Sequence, residues 1–448
     1  MTSEHLPDSS GTLDTWLKHL ETLHSREIDL GLERVKAIAL RLNLPLTAAS
    51  RSCRVITFAG TNGKGSTLAM TQAMALAAGL TVGSYTSPHF LHFNERIQIN
   101  GRPVSDAAII HAFERIEAAR CQPPEQTLTL SYFEFATLAG LLLFQDAGLE
   151  LWLLEVGLGG RLDAVNIVDC DVAVLTTVAL DHQDYLGDTL ELIGAEKAGI
   201  FRSGCPAVLG SEQLPDSVKK AAAKLGADVF QLGEHYFRSL PQQGYWHWRG
   251  QDKQHQPLYL NNLPVNSLPD DNAATAVQAL LLACQDIKCQ AIADGLATAQ
   301  LTGRMQRIPA NAGYWLLDVA HNPEAAEYLA KQLQQQGEVR RVALVGMMAD
   351  KDMAATLKPL LPLVDGWITT ALPLPRAAKP EKLALLLQEM GAEVLAVCDD
   401  AEVQQAYKTA LAQLNAGCEE ILVMGSFFTL AGILEIMQKS EAQSCGTE

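Results

Sequence analysis

The residues whose types and spacing suit chemistry best are Gly60-Thr61-Asn62-Gly63-Lys64-Gly65-Ser66. They follow the apolar run Val55–Phe58 and precede a helical pattern. Closely spaced glycines let a backbone curl until several N–H groups face one anion. A helix start adds partial positive charge there, and Lys64 adds a full one. This is the chemistry of a phosphate loop, and strand–loop–helix is the context it needs. The pattern departs from the common G-x-x-x-x-G-K-[ST]. Phe58 stands where the first glycine is expected, and Gly65 follows the lysine, which shifts the metal-facing hydroxyl to Ser66.

Further polar groups leave the ends of other apolar runs. Val82–Tyr85 leads into Thr86-Ser87-Pro88-His89. Leu151–Glu155 leads into Val-Gly-Leu-Gly-Gly-Arg-Leu-Asp-Ala164, and Val172–Val178 into Asp181-His182. In open parallel sheets ligands bind beyond the carboxyl ends of the strands, so Ser87, Glu155 and His182 are expected to converge on the loop. A hydroxyl, a carboxylate and an imidazole suit magnesium shared with nucleotide phosphates, although histidine is an unusual ligand for so hard an ion. Each also has a plainer reading: His182 as a satisfied loop histidine, Glu155 as a helix cap or a partner of Arg161. A later run, Trp315–Asp318, ends in Asp318-Val-Ala-His321-Asn-Pro323. There Asp318 would bind a ribose and His321 would lie near a base, while Asn322-Pro323 otherwise reads as a turn and helix start.

The elements that must hold these groups are legible in the patterning. The four runs above alternate with helical spacing over Ser66–Ala78, Ser105–Ala119 and Phe133–Asp146, the mark of a parallel sheet flanked by helices. Gly233–Leu263, with Tyr236, Tyr245, Trp246 and Trp248, breaks the alternation and predicts a small antiparallel excursion or long insertion. A second series of strands follows, at Trp315–Asp318, Val342–Val345, Trp367–Thr370, Val394–Val397 and Ile421–Met424. Ala291–Asn311, a helix and then an irregular stretch, lies between the two series. The fold class predicted is α/β with two domains: residues 1–303, a P-loop parallel-sheet ATPase domain, and residues 311–448, a smaller Rossmann-like domain. A cleft is expected between them.

Composition narrows the classes. The 448 residues carry 34 basic and 51 acidic side chains, a net charge of −17. That acidity argues against nucleic acid or a membrane surface as partner, since either needs a positive face. Met1–Leu17 lacks the basic and apolar regions of a secretory signal, and no run is long enough to span a membrane. The nine scattered cysteines form no C-x-x-C pair, so neither a disulfide framework nor a zinc ribbon is expected. A cytoplasmic protein is the expectation.

With these motifs assembled, the sequence resembles the bifunctional dihydrofolate synthase/folylpolyglutamate synthases of bacteria, a family related to the Mur ligases. The resemblance rests on Gly60–Gly65, Ser84–His89, Glu155–Ala164, Glu196-Lys-Ala-Gly-Ile200 and Asp318–Pro323, and runs from about Trp16 to Phe427. It implies that Thr61, Asn62, Gly63 and Lys64 hold ATP phosphates and that Ser87, Glu155 and His182 bind magnesium, with two metal sites possible. It also implies that Asn272, Arg304 and Asp318 complete the ATP site, with Arg304 at a hinge. Lys197, an ordinary Glu-Lys by composition, matches a lysine that the family carries as a carbamate. Ile28, Asp29 and Leu30, with Ser131, Tyr132, Phe133 and Glu134 and the loop Leu162, Asp163 and Ala164, would cradle the pterin of dihydropteroate. Ser131 stands where threonine is usual, and Phe428 replaces a more usual histidine.

The activity implied is ATP-dependent ligation of L-glutamate to dihydropteroate and then to tetrahydrofolates, by a monomer, through an acyl phosphate. Lys64, His182 and Lys197 would be the catalytic residues, and a second domain closing near Gly303 would exclude water. Two other readings stay open at this point. One is a nucleotide-dependent switch, which leaves Asp29–Arg34 and the second domain without a role. The other is a cell-wall ligase acting on a UDP-sugar peptide, for which no separate N-terminal UDP-binding domain is evident.

Overall fold

The structure, a computed structural model, describes residues 11–24, 29–399 and 403–445; Ile28 therefore lies outside the described residues. The chain divides into two compact units between Gln300 and Leu301.

The first unit is built on strands β1 (Arg54–Ala59), β2 (Val82–Tyr85), β3 (Ile97–Ile99), β4 (Arg102–Pro103), β5 (Leu151–Glu155), β6 (Val172–Leu175), β7 (Pro206–Leu209) and β8 (Asp228–Gln231). They form one sheet in the order β4-β3-β2-β5-β1-β6-β7-β8. All neighbours from β2 to β8 pair in parallel, and the β3–β4 edge is antiparallel. Strands covered on both faces must be apolar throughout, and from Val55 on, β1, like β2, β5, β6 and β7, is buried at every residue. Strand β6 is shorter than its sequence pattern, because Thr176 and Thr177 leave the ladder to bond the neighbouring loop. A separate three-stranded antiparallel sheet, β9 (Phe237–Arg238), β10 (Tyr245–Gln251) and β11 (Pro257–Pro264), is the excursion expected from the sequence. Its buried face carries Trp246 and Trp248, and Trp248 donates to the Ala274 carbonyl at 3.2 Å.

The second unit holds β12 (Gln306–Pro309), β13 (Tyr314–Leu317), β14 (Arg341–Val345), β15 (Gly366–Thr370), β16 (Val394–Cys398) and β17 (Glu420–Met424), ordered β12-β13-β17-β14-β15-β16. Strand β12 pairs antiparallel with β13, so the stretch read from sequence as irregular folds with the second series. An ion pair is buried in this unit. Arg341 Nε donates to Glu420 Oε1 at 2.6 Å, both side chains being 2% exposed.

Candidate active site

The loop after β1 has the shape its glycines suggest. Gly60 and Gly63 have φ of +150° and +87°, and Gly63 opens the helix Lys64–Ala77. A β-carbon on Gly60 would lie 1.9 Å from Thr176 Oγ1, and one on Gly63 would lie 2.8 Å from the amide of Asn272. Thr61 N–H donates to the Thr177 carbonyl at 2.8 Å, Asn62 N–H donates to Thr177 Oγ1 at 3.2 Å, and Thr176 Oγ1 donates to the Asn62 carbonyl at 2.6 Å. The loop is thus held from β6 on one side and from the helix Asp270–Ala283 on the other. Lys64 Nζ donates to the carbonyls of Gly60 and Thr61 at 2.9 and 3.3 Å. Thr176 and Thr177 were not singled out from sequence; two threonines at the end of an apolar run were the available signal.

The neighbouring strand ends arrive as the parallel order dictates. Glu155 pairs with Phe58 across β5 and β1, is 6% exposed, and accepts from Ser87 N–H at 3.2 Å through Oε2. His182, at φ +51°, begins the short helix Gln183–Leu186 and is 47% exposed at its side chain. Its Nε2 lies 4.0 Å from Oδ2 of Asp181, whose carboxylate is 9% exposed. Asp181 is a further functional candidate missed from the sequence, legible only as the residue before the histidine.

Lys197 ends the helix Leu190–Lys197 and is 5% exposed. Burial, reinforced by the charge of Lys64, pushes its ammonium down to about 7, while Asp181 and Asp163 pull the other way. Gly160, in the loop after β5, packs so closely that a β-carbon there would sit 2.8 Å from the carbonyl oxygens of Glu196 and Lys197. The bland surface lysine of the sequence is therefore buried among the loops of the site.

Among the described residues no three His, Cys, Asp or Glu side chains form a group able to hold a metal by themselves. The expected set has only two such side chains, Glu155 and His182, with Ser87 as the third ligand. A hydroxyl, a buried carboxylate and an accessible imidazole remain a donor set that fits a hard divalent ion shared with phosphate.

The residues expected at the pterin also meet, but several spend their polar atoms on the fold. Ser131 and Glu134 form a capping box on the helix Tyr132–Asp146: Ser131 N–H donates to Glu134 Oε2 at 2.7 Å, and Glu134 N–H donates to Ser131 Oγ at 3.3 Å. A hydroxyl is what that cap requires, and serine supplies it as threonine would. Asp163 accepts from Gly157, Leu158 and Val165 N–H groups at 2.9–3.0 Å and is 2% exposed. Burial pushes its carboxyl up to about 6, and the three N–H donors oppose that rise. Asp163 thus holds the glycine-rich loop in shape, with buried Ala164 and half-buried Leu162 beside it. Phe133 packs against Gly157, and Tyr132 faces the guanidinium of Arg96, 5.6 Å from ring centre to Cζ. Arg96 Nε donates to His89 Nδ1 at 2.8 Å, and burial keeps the His89 ring neutral by lowering it to about 4. Asp29 joins this region through Arg34, which bonds both Asp29 and Glu134. Leu30 is half-buried in the same segment.

In the second unit the residues after β13 gather likewise. Asp318 accepts from Met305 N–H at 3.0 Å and Ala320 N–H at 2.9 Å, and burial raises its carboxyl against the pull of Arg304. The Arg304 guanidinium lies 5.5 Å from the centre of the Phe427 ring, and the His321 ring 6.3 Å from it. Phe428 is exposed, and nothing in the structure explains its side chain.

Residues 58–239 match the Mur ligase middle domain, and residues 303–427 match the Mur ligase glutamate ligase domain. The dihydrofolate synthase/folylpolyglutamate synthase of Escherichia coli K12 is 42% identical over 440 residues, covering 98% of each chain. The chain belongs to the dihydrofolate synthase/folylpolyglutamate synthase family. The Haemophilus influenzae member is 37% identical across 96% of this chain and 98% of its own. A solved structure of E. coli FolC in complex with DHPP and ADP superposes with a TM-score of 0.87 at 41% identity, covering 97% of this chain and 100% of that one. The Yersinia pestis bifunctional enzyme complexed with AMPPNP and a manganese ion gives 0.85 at 42%, with coverage of 97% and 100%. Membership makes the chain an ATP-dependent ligase forming carbon–nitrogen bonds.

Proposed function

We infer that this ligase adds L-glutamate to dihydropteroate, giving dihydrofolate, and adds further glutamates to tetrahydrofolates. The observation that carries the reading is the meeting of a phosphate loop and the buried carboxylate Glu155 at neighbouring strand ends, with Lys197 buried at a helix end within reach of the charge of Lys64. A free carboxylate forms an amide poorly in water because oxide is a poor leaving group. In the reaction proposed, a carboxylate oxygen of the pterin substrate attacks the γ-phosphorus of ATP, releasing ADP and leaving an acyl phosphate. The amine of glutamate then attacks the acyl carbon, phosphate departs, and the amine loses a proton.

Lys64 and the loop residues Thr61, Asn62 and Gly63 neutralise and orient the phosphates. Ser87, Glu155 and His182 would hold magnesium, whose charge would offset that of the phosphates. Asn272 and, from the second unit, Arg304, Asp318 and His321 serve the nucleotide. Lys197 acts as a carbamate. A buried amine with a lowered affinity for protons keeps the lone pair that forms the bond to the carbon of carbon dioxide, and loss of one nitrogen proton to solvent leaves an anionic carbamate suited to a metal. Tyr132, Phe133 and Leu162 offer apolar surface to the pterin, and Asp29 and Leu30 serve the same substrate, as the family resemblance also implies for Ile28. Asp163, Ala164, Ser131 and Glu134 hold that surface in place.

No helix of the described residues is long and apolar enough to cross a membrane. We place the enzyme in the cytoplasm as a monomer. The deciding experiment measures ADP release with dihydropteroate and with tetrahydrofolate, each with and without glutamate. Release that needs glutamate and either pterin is expected. Release indifferent to glutamate overturns the reading.

A further inference from the structure

We infer that His24 is a positioning residue for the pterin-bearing substrate, acting through Asp29; this rests on the assignment of Asp29 and Leu30 to that substrate. His24 directly follows the helix Leu13–Leu23, which is anchored in the core by Leu13, Trp16 and Leu20. Its side chain is 11% exposed, and both ring nitrogens are engaged. Nε2 lies 3.0 Å from Asp29 Oδ2, and Nδ1 lies 3.1 Å from Thr129 Oγ1.

Of those two partners, Asp29 lies in one segment assigned to the pterin and Thr129 just before another. Thr129 lies two residues before the cap Ser131. Asp29 opens the segment that Arg34 ties to Glu134, where Arg34 Nη2 donates to Oε1 at 3.1 Å. One imidazole, just after a helix anchored in the core, thus braces the same Asp29 oxygen that Arg34 holds, and ties it to Thr129. Arg34 first and His24 second hold the Asp29 carboxyl below its usual range, so the carboxylate is charged and both donors bind the same form. Without His24 the carboxylate loses one of the donors that hold it, and the segment of Asp29 and Leu30 shifts with it. The partners named for this relay lie outside the ATP loop.

The test is steady-state kinetics of the full-length enzyme with H24N, H24Q, D29N and the double variant H24N/D29N. Glutamine carries its amide nitrogen out to about the position of Nε2, whereas asparagine does not reach Asp29. H24N is expected to raise the KM for dihydropteroate about tenfold, the scale of one charge-assisted hydrogen bond. Its kcat and its KM for ATP are expected to stay within about twofold, and H24Q to stay near wild type. Because His24 acts through Asp29, H24N added to D29N is expected to change little more than D29N alone. Equal effects of H24N and H24Q, a fully additive double variant, or an H24N protein that does not fold each overturn the proposal. If D29N itself leaves the KM for dihydropteroate unchanged, the assignment of that segment to the pterin fails. If D29N raises it and H24N does not, only the role of His24 fails.

Discussion

Lys64 turns back on its own loop, bonded to the Gly60 and Thr61 carbonyls, and stands near enough to Lys197 for the two charges to repel. Its truncation removes charge where phosphate charge develops but leaves the pterin segments untouched. K64A is therefore expected to lower kcat by about 10²–10³-fold, with the KM for dihydropteroate changed by less than about twofold, as read by ADP release. At Lys197 the expectation is chemical. Labelled bicarbonate is expected to give a carbamate carbon resonance in the wild type and none in inactive K197M. In buffer freed of bicarbonate, between about 7 and the ordinary lysine value of 10.5, the unfolded chain keeps a proton that the folded chain has lost. Stability then rises with pH across that window. The difference in unfolding free energy between wild type and K197M is expected to grow with that slope, and a flat difference argues against a buried Lys197.

The loop between β1 and its helix depends on contacts from two other elements. A methyl group on Gly60 collides with Thr176 and meets an unfavourable backbone angle besides. G60A is expected to cost about 1–3 kcal/mol by denaturant unfolding and to weaken nucleotide binding in titration. Central strands such as β1 and β5 were readable because burial on both faces leaves an unbroken apolar run. The short edge strands β3, β4 and β12 were not, since a few residues with mostly exposed or half-buried side chains leave no unbroken apolar run. Tyr314–Leu317 was readable as a strand, whereas Gln306–Pro309 against it was not. The site divides in the same way. Lys64, Glu155 and Asp318 announce themselves by standing at strand ends. Lys197 sits in an ordinary Glu-Lys sequence and is unusual only through its burial. Ser131, Glu134 and Asp163 stand in motifs whose polar atoms turn out to close a helix or a loop, which sequence spacing does not separate from ligand contact.

Across the whole molecule, a net charge of −17 serves an enzyme whose proposed substrates are all anions. Under the proposed function, attraction comes from local groups such as Lys64 and a bound divalent ion rather than from the surface field. The two units also have separate cores, and the second depends on a buried ion pair of its own. E420A leaves Arg341 buried without its carboxylate, which is expected to cost about 3–5 kcal/mol. Hydrogen exchange is expected to quicken in β13, β14 and β17 while β1, β5 and β6 keep their protection; uniform loss of protection would contradict two separate units. The contacts of the phosphate loop bear also on how the protein is made. The ribosome delivers residues 60–66 early, but Thr176, Thr177 and Asn272, which fix their shape, come more than a hundred and two hundred residues later. A nascent chain halted before Asn272 carries the whole loop sequence and lacks its last support. Competence to bind nucleotide is thus a late event of translation, reached only when most of the first unit has left the ribosome.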